Sequence, residues 1–273
     1  MSAMLIAMLL QAAAPAVGVV ADPCALLPPA PAATIAYRDR IRQAEAAGKP
    51  APSPTAEEMR AYLDWQKDLR LADFPNLCRY RYANAALPPP TKQRVLFMGD
   101  SITECWSATT PDAFSGDRVN RGISGQTTTQ MLARFRQDVV ALRPRVVHIM
   151  AGTNDIAGNL GPTTIDDIEA NIRSMADIAR ANGIRVIIAS APPAARFGWR
   201  PDIDPVAPIA ELNRRLKAWA AQQGFVYADY HAALADERQG LPPALAADGV
   251  HPNAAGYAKM QPITEKAISA ALR

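Results

Sequence analysis

The feature that most restricts the fold is an alternation of short apolar segments with helical stretches, which runs from Arg94 to the C-terminus. Five segments are short, apolar and often β-branched: RVLFMG (94–99), RVNRG (118–122), RVVHIMAG (145–152), RVIIASA (185–191) and FVYADY (225–230). Helices are predicted near 126–142, 165–182, 207–223 and 254–271. Apolar strands that alternate with helices are typical of a parallel sheet covered on both faces. We therefore predict one α/β domain over residues 92–273.

The first segment of the chain has a different composition. Residues 1–21 carry no charged side chain, and Val19 and Ala21 occupy the −3 and −1 positions of a small-residue cleavage site. The segment lacks the basic residue that usually begins a signal peptide, and its apolar part is too short to span a bilayer comfortably. We predict a signal peptide and an exported chain without a stable membrane anchor after cleavage. The alternative is a loosely packed N-terminal segment.

The residues between this segment and the predicted domain show only local helical patterns. Residues 22–54 are rich in Pro and Ala, which predicts a tether that contains a short helix. Thr55 and Glu58 form a Thr-x-x-Glu capping pattern, after which apolar residues recur at helical spacing. A further helix is predicted over about 75–87. We therefore predict that residues 55–91 form a helical lead-in packed on the main domain.

Charge and cysteine content restrict the partners and the compartment. The chain has 29 basic and 26 acidic residues without a run of Lys or Arg, so nucleic acid is not an expected partner. Its three cysteines are Cys24, Cys78 and Cys105, so at least one is unpaired within the chain. Cys24 and Cys78 can pair in an oxidising compartment, and we expect Cys105 to be a free, small packing residue.

The first predicted strand ends in the sequence GDSIT (99–103). The glycine allows a sharp strand-to-helix turn, and a serine that begins a helix lies near backbone N–H groups that stabilise a developing negative charge. Ser101 is therefore a candidate nucleophile, and the alternative is that it only caps the helix. Ser124, which follows the second strand, is a rival nucleophile without a strand-to-helix turn immediately before it.

Small and polar residues also follow the next two strands. The second strand ends in NRGISGQT (120–127), in which two glycines favour a tight loop with inward N–H groups. The third ends in GTND (152–155), where the neutral amide of Asn154 can donate to an oxyanion without adding charge. Either segment alone is also compatible with an ordinary turn.

Of the three histidines, His251 is the candidate proton acceptor. It lies in the loop DGVHPN (248–253), just before the last predicted helix. Asp248 precedes it by three residues, so the carboxylate can fix the tautomer of the imidazole and stabilise the imidazolium. We interpret His148, inside an apolar strand, as a satisfied core residue. His231, after the fifth strand, is interpreted as a surface or supporting group.

Motifs of other enzyme classes are missing from the sequence. It contains no G-x-S-x-G elbow, no H-E-x-x-H or paired C-x-x-C, and no G-x-x-x-x-G-K-[ST] or G-x-G-x-x-G. We therefore predict no catalytic metal, no nucleotide and no other cofactor.

The four segments together resemble the four ordered blocks of the SGNH (GDSL) hydrolase superfamily, which are GDS, a glycine loop, G-x-N-D and D-x-x-H. The resemblance covers about residues 92–273 in the right order and spacing. It implies a flavodoxin-like three-layer α/β/α sandwich with a five-stranded parallel sheet. Here that fold would carry an N-terminal helical extension.

The resemblance also implies a role for each candidate residue. Ser101 would be the nucleophile, and His251 would act first as base and then as acid, oriented by Asp248. The backbone N–H groups of Ser101 and Gly125, with the Asn154 side chain, would form the oxyanion hole.

Two further features of the glycine loop bear on this resemblance. Gly122 is expected to be structural, and Gln126 replaces an acidic residue that many members have, which predicts altered hydrogen bonding in the loop and unchanged chemistry. The run RGISGQTTTQM (121–131) is similar to acetyl or short-acyl esterases, including platelet-activating-factor acetylhydrolase-like members.

The implied function is hydrolysis of short-chain acyl esters, acetyl esters in particular, on a carbohydrate or similar alcohol. The alternatives are a lysophospholipase- or thioesterase-like hydrolase of longer chains, a transacylase, and a non-catalytic carbohydrate-binding protein on the same fold. Aromatic and basic residues in the Pro-rich loop after the fourth strand are candidates for substrate contact or for loop anchoring: Arg196, Phe197, Trp199 and Arg200. The sequence predicts no oligomeric state.

Overall fold

A computed structural model describes residues 18–46 and 52–273 of the chain. They divide after Ala72 into two compact units. Most of the predicted signal peptide and part of the predicted tether lie outside the described residues, so the predicted segment boundaries stay predictions. Within residues 18–46 and 52–273, no helix is both long enough and apolar enough to cross a membrane.

The N-terminal unit contains helices α1 (Ala32–Ala46) and α2 (Ala56–Ala72). The capping box predicted for α2 is present, because the Thr55 N–H donates to Glu58 Oε2 over 2.7 Å and the Glu58 N–H donates to Thr55 Oγ1 over 3.2 Å. The same carboxylate pairs with Arg40 of α1 at 2.5 Å. Glu58 therefore caps one helix and ties it to the other.

The second unit alternates strands and helices, and its five strands agree with the five predicted segments. The strands are β1 (Val95–Gly99), β2 (Arg118–Gly122), β3 (Val146–Met150), β4 (Arg185–Ala189) and β5 (Val226–Ala228). The helices are α3 (Arg81–Ala85), α4 (Ser101–Thr109), α5 (Thr128–Asp138), α6 (Thr153–Ile156), α7 (Ile165–Ala181), α8 (Val206–Gln223), α9 (Tyr230–Leu234) and α10 (Ala254–Leu272). Along the described chain, 3-10 helices lie at Pro23–Leu26, Pro111–Phe114 and Val140–Leu142.

All five strands are parallel and lie in the order β2-β1-β3-β4-β5. This is the flavodoxin-like order, and the predicted fold class is confirmed. The chain winds outward in opposite directions from β1 and β3, which are paired through Gly99 and Met150. In sheets of this kind, ligands bind in the crevice outside the carboxyl ends of the strands at such a switch point. The residues that follow β1 and β3 therefore lie where a site is expected.

Apolar layers cover both faces of the sheet. One contains Phe135 of α5 and Leu216 of α8, and the other contains Trp106 of α4 and Tyr257 of α10. The Trp106 and Tyr257 rings stack with centroids 5.3 Å apart. The Tyr257 hydroxyl also donates to the Ile102 carbonyl over 2.8 Å. These contacts fix the start of α10, and with it the loop that precedes α10, against the first turn of α4.

Two of the three histidines have structural positions, as the sequence predicted. His148 of β3 is fully buried, and its Nε2 lies 2.9 Å from the Tyr230 hydroxyl. Burial lowers the pKa of His148 to about 3, so the ring is neutral at pH 7. Among the described residues its Nδ1 has no hydrogen-bond partner, so the interpretation of His148 as a satisfied core residue is correct for its position but for only one of its ring nitrogens. His231 is half-buried and donates its backbone N–H to Ser190 Oγ over 2.9 Å.

The cysteines also agree with expectation. Cys24 and Cys78 are both disulfide-bonded, and Cys105 is a free thiol. Burial and the nearby carboxylates of Glu104 and Asp100 raise the pKa of the Cys105 thiol, which keeps it protonated and poorly nucleophilic.

The helix predicted over about 75–87 is wrong in extent, because only Arg81–Ala85 is α-helical. Ahead of it, the Asp73 carboxylate accepts the Leu77 N–H over 2.8 Å, and Asn76 has a φ of 57°. Such side-chain-to-backbone hydrogen bonds offer the chain an alternative to a helix. Residues 73–80 therefore form turns.

Candidate active site

Ser101 begins α4 directly after the end of β1. Asp100 is the N-cap of this helix and accepts the Ile102 N–H over 2.9 Å, so Ser101 is not the cap. A Cβ on Gly99 would lie 2.0 Å from Thr103 Oγ1 and 2.9 Å from the Met150 carbonyl oxygen, so the absence of a side chain allows the end of β1 to pack this closely on α4 and β3. As the first helical residue, Ser101 has a backbone N–H without an intrahelical acceptor.

The Ser101 hydroxyl lies against the imidazole of His251, with Oγ 2.8 Å from Nε2. On the other side of the ring, Nδ1 lies 2.6 Å from Asp248 Oδ2. When Nδ1 donates its proton to this carboxylate, Nε2 presents a lone pair to the serine hydroxyl. Such an arrangement can remove the hydroxyl proton as the oxygen attacks a carbonyl carbon.

Asp248 is held in its ionised form. Burial acts to raise its pKa, but hydrogen bonds from the His251 backbone and ring and from the Val250 N–H outweigh burial and lower the pKa below its ordinary value. Its Oδ1 accepts the N–H groups of Val250 and His251 over 2.9 and 2.8 Å. A carboxylate ionised at neutral pH can stabilise an imidazolium beside it.

The glycine loop after β2 is anchored on α4. A Cβ on Gly122 would lie 2.2 Å from the Glu104 backbone nitrogen, so a larger residue would separate the end of β2 from the helix. The Glu104 carboxylate accepts both the Ser124 N–H and the Ser124 hydroxyl, over 2.7 and 2.6 Å. Gly125, with a φ of 78°, follows. The Ser124 hydroxyl therefore donates to a carboxylate and does not contact an imidazole, which argues against it as the nucleophile.

Gln126 links the glycine loop to a buried cation. Its Oε1 accepts from Arg134 Nε over 2.6 Å, while its Nε2 donates to the Pro75 carbonyl over 2.9 Å. Arg134 is fully buried and also donates to Asp138 and to the Gly99 carbonyl. An ionised acidic residue in place of Gln126 would have no proton for the Pro75 carbonyl, and the altered hydrogen bonding expected of the loop stays a prediction.

Asn154 lies in α6, directly after β3, and its side chain joins the other two loops. The residue is 4% exposed, and its Nδ2 donates to the Gln126 carbonyl over 3.1 Å and to Asp100 Oδ2 over 3.3 Å. Burial raises the pKa of Asp100 to about 6. Asn154 therefore lies between Asp100, which precedes Ser101, and Gln126, which follows Gly125. The structure thus brings all three predicted oxyanion donors to one edge of the sheet.

Sequence reasoning missed Asn159, which lies in the loop after α6. Its Nδ2 donates to Asn154 Oδ1 over 2.8 Å and to the Gly125 carbonyl over 3.2 Å, and its Oδ1 accepts from Trp199 Nε1 over 3.1 Å. An asparagine in a polar loop carries no sequence signal for such contacts.

Asp155 was also missed, although it lies within the quoted GTND block. Its carboxylate accepts the Thr128 N–H on both oxygens, over 3.0 and 2.9 Å, and the Thr128 hydroxyl over 2.6 Å. Asp155 thereby fixes the N-terminus of α5 against α6, which supports the neighbouring Asn154.

The loop after β4 brings one aromatic side chain to the site. Trp199 is 43% exposed, and its ring centroid lies 6.4 Å from that of His251. Phe197 is 0% exposed and stacks against Trp199 with centroids 5.1 Å apart. The prediction that Phe197 contacts substrate is therefore wrong, because its ring is buried. Phe197 instead packs against one face of the Trp199 ring.

Arg200 anchors the same loop. It donates to the Ala157 carbonyl over 2.8 Å and to both carboxylate oxygens of Asp202 over 3.2 and 3.1 Å. These contacts engage the guanidinium with the chain itself, so its predicted contact with substrate stays a prediction. Arg196 is exposed.

Metal ions in proteins are held by clustered His, Cys, Asp or Glu side chains. Within residues 18–46 and 52–273, no group of three or more His, Cys, Asp or Glu side chains is placed to hold a metal ion.

The model of the GDSL-like Lipase/Acylhydrolase family matches residues 97–259, which is more than half of the chain. The chain belongs to this family. It is a carboxylic ester hydrolase. The matched residues include all four blocks from which the resemblance was inferred, so the predicted family is confirmed.

Relatives of this esterase include proteins of known structure. The acetylxylan esterase of Geobacillus stearothermophilus is 29% identical over 198 residues, which cover 60% of this chain and 89% of the relative. A proposed acylhydrolase from Bacteroides fragilis has 47% identity and a TM-score of 0.72, covering 74% of this chain and 99% of that structure. A GDSL-like lipase from Bacteroides thetaiotaomicron has 44% identity and a TM-score of 0.71, covering 73% and 100%.

Proposed function

We propose that this esterase removes short acyl groups, acetyl groups in particular, from a carbohydrate or similar alcohol. The observation that carries the proposal is the continuous contact from Ser101 Oγ to His251 Nε2 and from His251 Nδ1 to Asp248, over 2.8 and 2.6 Å. These distances lie within the range of a nucleophile hydrogen-bonded to its base and of a base hydrogen-bonded to its orienting group.

In the first half of the reaction, Ser101 Oγ attacks the ester carbonyl carbon while His251 Nε2 takes the hydroxyl proton. The carbonyl oxygen becomes an oxyanion, which accepts hydrogen bonds from the backbone N–H groups of Ser101 and Gly125. Asn154 Nδ2 becomes the third donor when the proton it gives to Asp100 Oδ2, the longer of its two bonds at 3.3 Å, turns to the oxyanion. When the intermediate collapses, the C–O bond to the alcohol breaks, and the leaving oxygen takes the proton from His251. The product is an acyl ester on Ser101.

In the second half, a water molecule attacks the acyl carbon and gives a proton to His251. Collapse of the second intermediate breaks the bond between the acyl carbon and Ser101 Oγ, and His251 returns the proton to this oxygen. Asp248 remains ionised throughout, because its role is to stabilise the imidazolium and hold its orientation.

Replacement of Asn154 by Ala is expected to lower kcat for p-nitrophenyl acetate by about 10²–10³-fold, the effect of removing one oxyanion donor. KM should change little, because the donor acts on charge that develops in the transition state. Asn182→Ala is a matched control, since this exposed side-chain amide at the end of α7 donates, within the described part of the chain, to the Ile178 carbonyl alone. An Asn154→Ala variant that keeps the wild-type kcat and melting temperature would remove Asn154 from the oxyanion hole.

Two observations support a carbohydrate ester as substrate. The exposed ring of Trp199 lies beside His251 and offers an aromatic surface of the kind on which an alcohol with an apolar face can pack. The relative from Geobacillus stearothermophilus is an acetylxylan esterase, and its match extends over 89% of that protein.

A series of p-nitrophenyl esters from acetate to palmitate, with acetylated xylo-oligosaccharides alongside, tests the acyl and alcohol parts separately. We expect kcat/KM to be greatest for acetate and to fall at least about tenfold by octanoate, since a pocket of fixed size discriminates by acyl volume. An optimum at decanoate or beyond would favour the longer-chain alternative. Transfer of acetyl to an added alcohol in preference to water would favour the transacylase, and glycan binding without ester hydrolysis would favour the binding protein.

Export is part of the same proposal. The uncharged segment 1–21 supports it, and so does the disulfide bonding of Cys24 and Cys78, because such bonds persist in oxidising compartments. The N-terminal sequence of the protein recovered outside the cytoplasm should begin at Asp22. Recovery of the protein only in the cytoplasm would contradict export.

A further inference from the structure

We infer that Asn159 is a positioning residue for the oxyanion hole, and that the indole N–H of Trp199 fixes Asn159 in its working orientation. The inference rests on the proposed function, because it assigns Asn154 and Gly125 as the groups that are positioned. It follows from one connected set of hydrogen bonds, Trp199 Nε1 to Asn159 Oδ1 and Asn159 Nδ2 to Asn154 Oδ1 and the Gly125 carbonyl.

Chemistry determines the direction of every hydrogen bond in this set. An indole N–H can only donate, so Asn159 must turn its oxygen to Trp199. Its NH₂ group then faces the Gly125 carbonyl, which can only accept, and Asn154 Oδ1. Asn154 is thereby forced to turn its own NH₂ group toward the Gln126 carbonyl and Asp100, the side on which the proposed oxyanion hole lies.

The burial of the amides makes a wrong orientation costly. Asn154 is 4% exposed, so a rotation of its amide by 180° would bring its oxygen against the Gln126 carbonyl and its NH₂ group against that of Asn159. Buried groups that lose their partners are destabilised by their full desolvation free energy. Asn159 therefore favours the one orientation in which Asn154 Nδ2 is a donor at the site.

The same set of bonds connects two loops that follow neighbouring strands. Asn159 lies in the loop after β3, and Trp199 lies in the loop after β4 with one face against Phe197. Because Trp199 is also the exposed ring beside His251, the side chain proposed to meet the alcohol part of the substrate is the one that orients the oxyanion donors.

The decisive variant is Asn159→Asp, which has nearly the same shape. Its carboxylate still accepts from Trp199, but it cannot donate to Asn154 Oδ1 or to the Gly125 carbonyl. We expect kcat for p-nitrophenyl acetate to fall about tenfold or more with KM nearly unchanged, since the interactions affected are those made in the transition state. Asn159→Ala should have a similar effect.

Trp199→Phe and Trp199→Ala separate the N–H from the ring. The Phe variant keeps an aromatic face but loses the donor, so we expect kcat to fall about threefold while KM for acetylated xylo-oligosaccharides stays unchanged. The Ala variant should lower kcat by the same factor and also raise KM for these oligosaccharides. A wild-type kcat in Trp199→Phe would show that the indole N–H does not fix Asn159.

Two measurements distinguish positioning from general damage to the site. The pH dependence of kcat/KM should keep its wild-type midpoint in Asn159→Ala, because this variant adds no charge and leaves Ser101, His251 and Asp248 untouched. The rate of phosphonylation by an organophosphonate, which places a phosphoryl oxygen in the oxyanion hole, should fall in parallel with kcat. Asn182→Ala again serves as the control.

The outcomes also separate this inference from the proposed function. If Asn159→Asp keeps the wild-type kcat while Asn154→Ala is impaired, the positioning role is overturned and the proposed function stands. If the wild-type protein hydrolyses no ester, the proposed function is overturned, and the positioning role of Asn159 is overturned with it.

Discussion

The Ser101→Ala variant is expected to lose at least about 10⁴-fold in kcat for p-nitrophenyl acetate, since removal of the nucleophile ends covalent catalysis. Folding should be unaffected. The hydroxyl makes a single contact in the described structure, with His251 Nε2, and Asp100 supplies the helix cap. The measurement is the steady-state rate of p-nitrophenol release, taken after any initial burst. Far-UV circular dichroism shows whether the variant is folded.

Ser124→Ala is the matched control for this loss. Ser124 lies in the neighbouring loop and donates its hydroxyl to Glu104, so its removal should change kcat by less than about threefold if it has no covalent role. If instead Ser124→Ala is inactive and Ser101→Ala is not, the nucleophile has been assigned to the wrong serine.

Asp248→Asn is expected to lower kcat by about 10³–10⁴-fold, although the two side chains have the same shape. An amide can turn its NH₂ group to His251 Nδ1, which then accepts, so the remaining ring proton moves to Nε2. A protonated Nε2 cannot take the proton of Ser101. The amide oxygen still accepts the N–H groups of Val250 and His251, which preserves the loop.

The comparison for this variant is Asp177→Asn on α7, where an exposed carboxylate pairs, among the described residues, with Arg180 alone at 2.8 Å. It should have the wild-type kcat, because exposed pairs of this kind contribute little even to stability. An Asp248→Asn variant within about tenfold of the wild type would show that the carboxylate does not set the tautomer of His251.

The sheet was predictable because its signal is local and repeated. Four of the five strands are runs of three to five mostly apolar or β-branched residues, and the long helices show a helical period, so most of the order and type followed from the sequence. Helices α6 and α9 were not predicted, since four or five residues are too few to show a period. The helix predicted over 75–87 begins only at Arg81, because Asp73 accepts a backbone N–H and Asn76 has a positive φ, and apolar periodicity reports neither feature.

The positions of the reacting groups were predictable for a related reason. Ser101 follows β1, Asn154 follows β3, and parallel strands end at one edge, so adjacency in the sheet brings them together. Asp248 and His251 are three residues apart, and a single turn brings them into contact.

The supporting contacts were not predictable. Asn159 and Trp199 are separated by 40 positions in two irregular loops, and their hydrogen bond exists only once both loops are packed. Phe197 and Arg200 are both large side chains in a loop, and composition does not reveal that one is buried and the other bound to backbone carbonyls. Such contacts depend on tertiary structure.

The most direct test of the central claim is the site of covalent modification by an organophosphonate, found by peptide mapping and mass spectrometry. We predict one adduct on the wild-type protein, on the hydroxyl of Ser101, slower labelling of Asp248→Asn, and no adduct on Ser101→Ala. Modification of Ser124, or labelling of Ser101→Ala at the wild-type rate, would contradict the assignment of Ser101 as the nucleophile activated by His251.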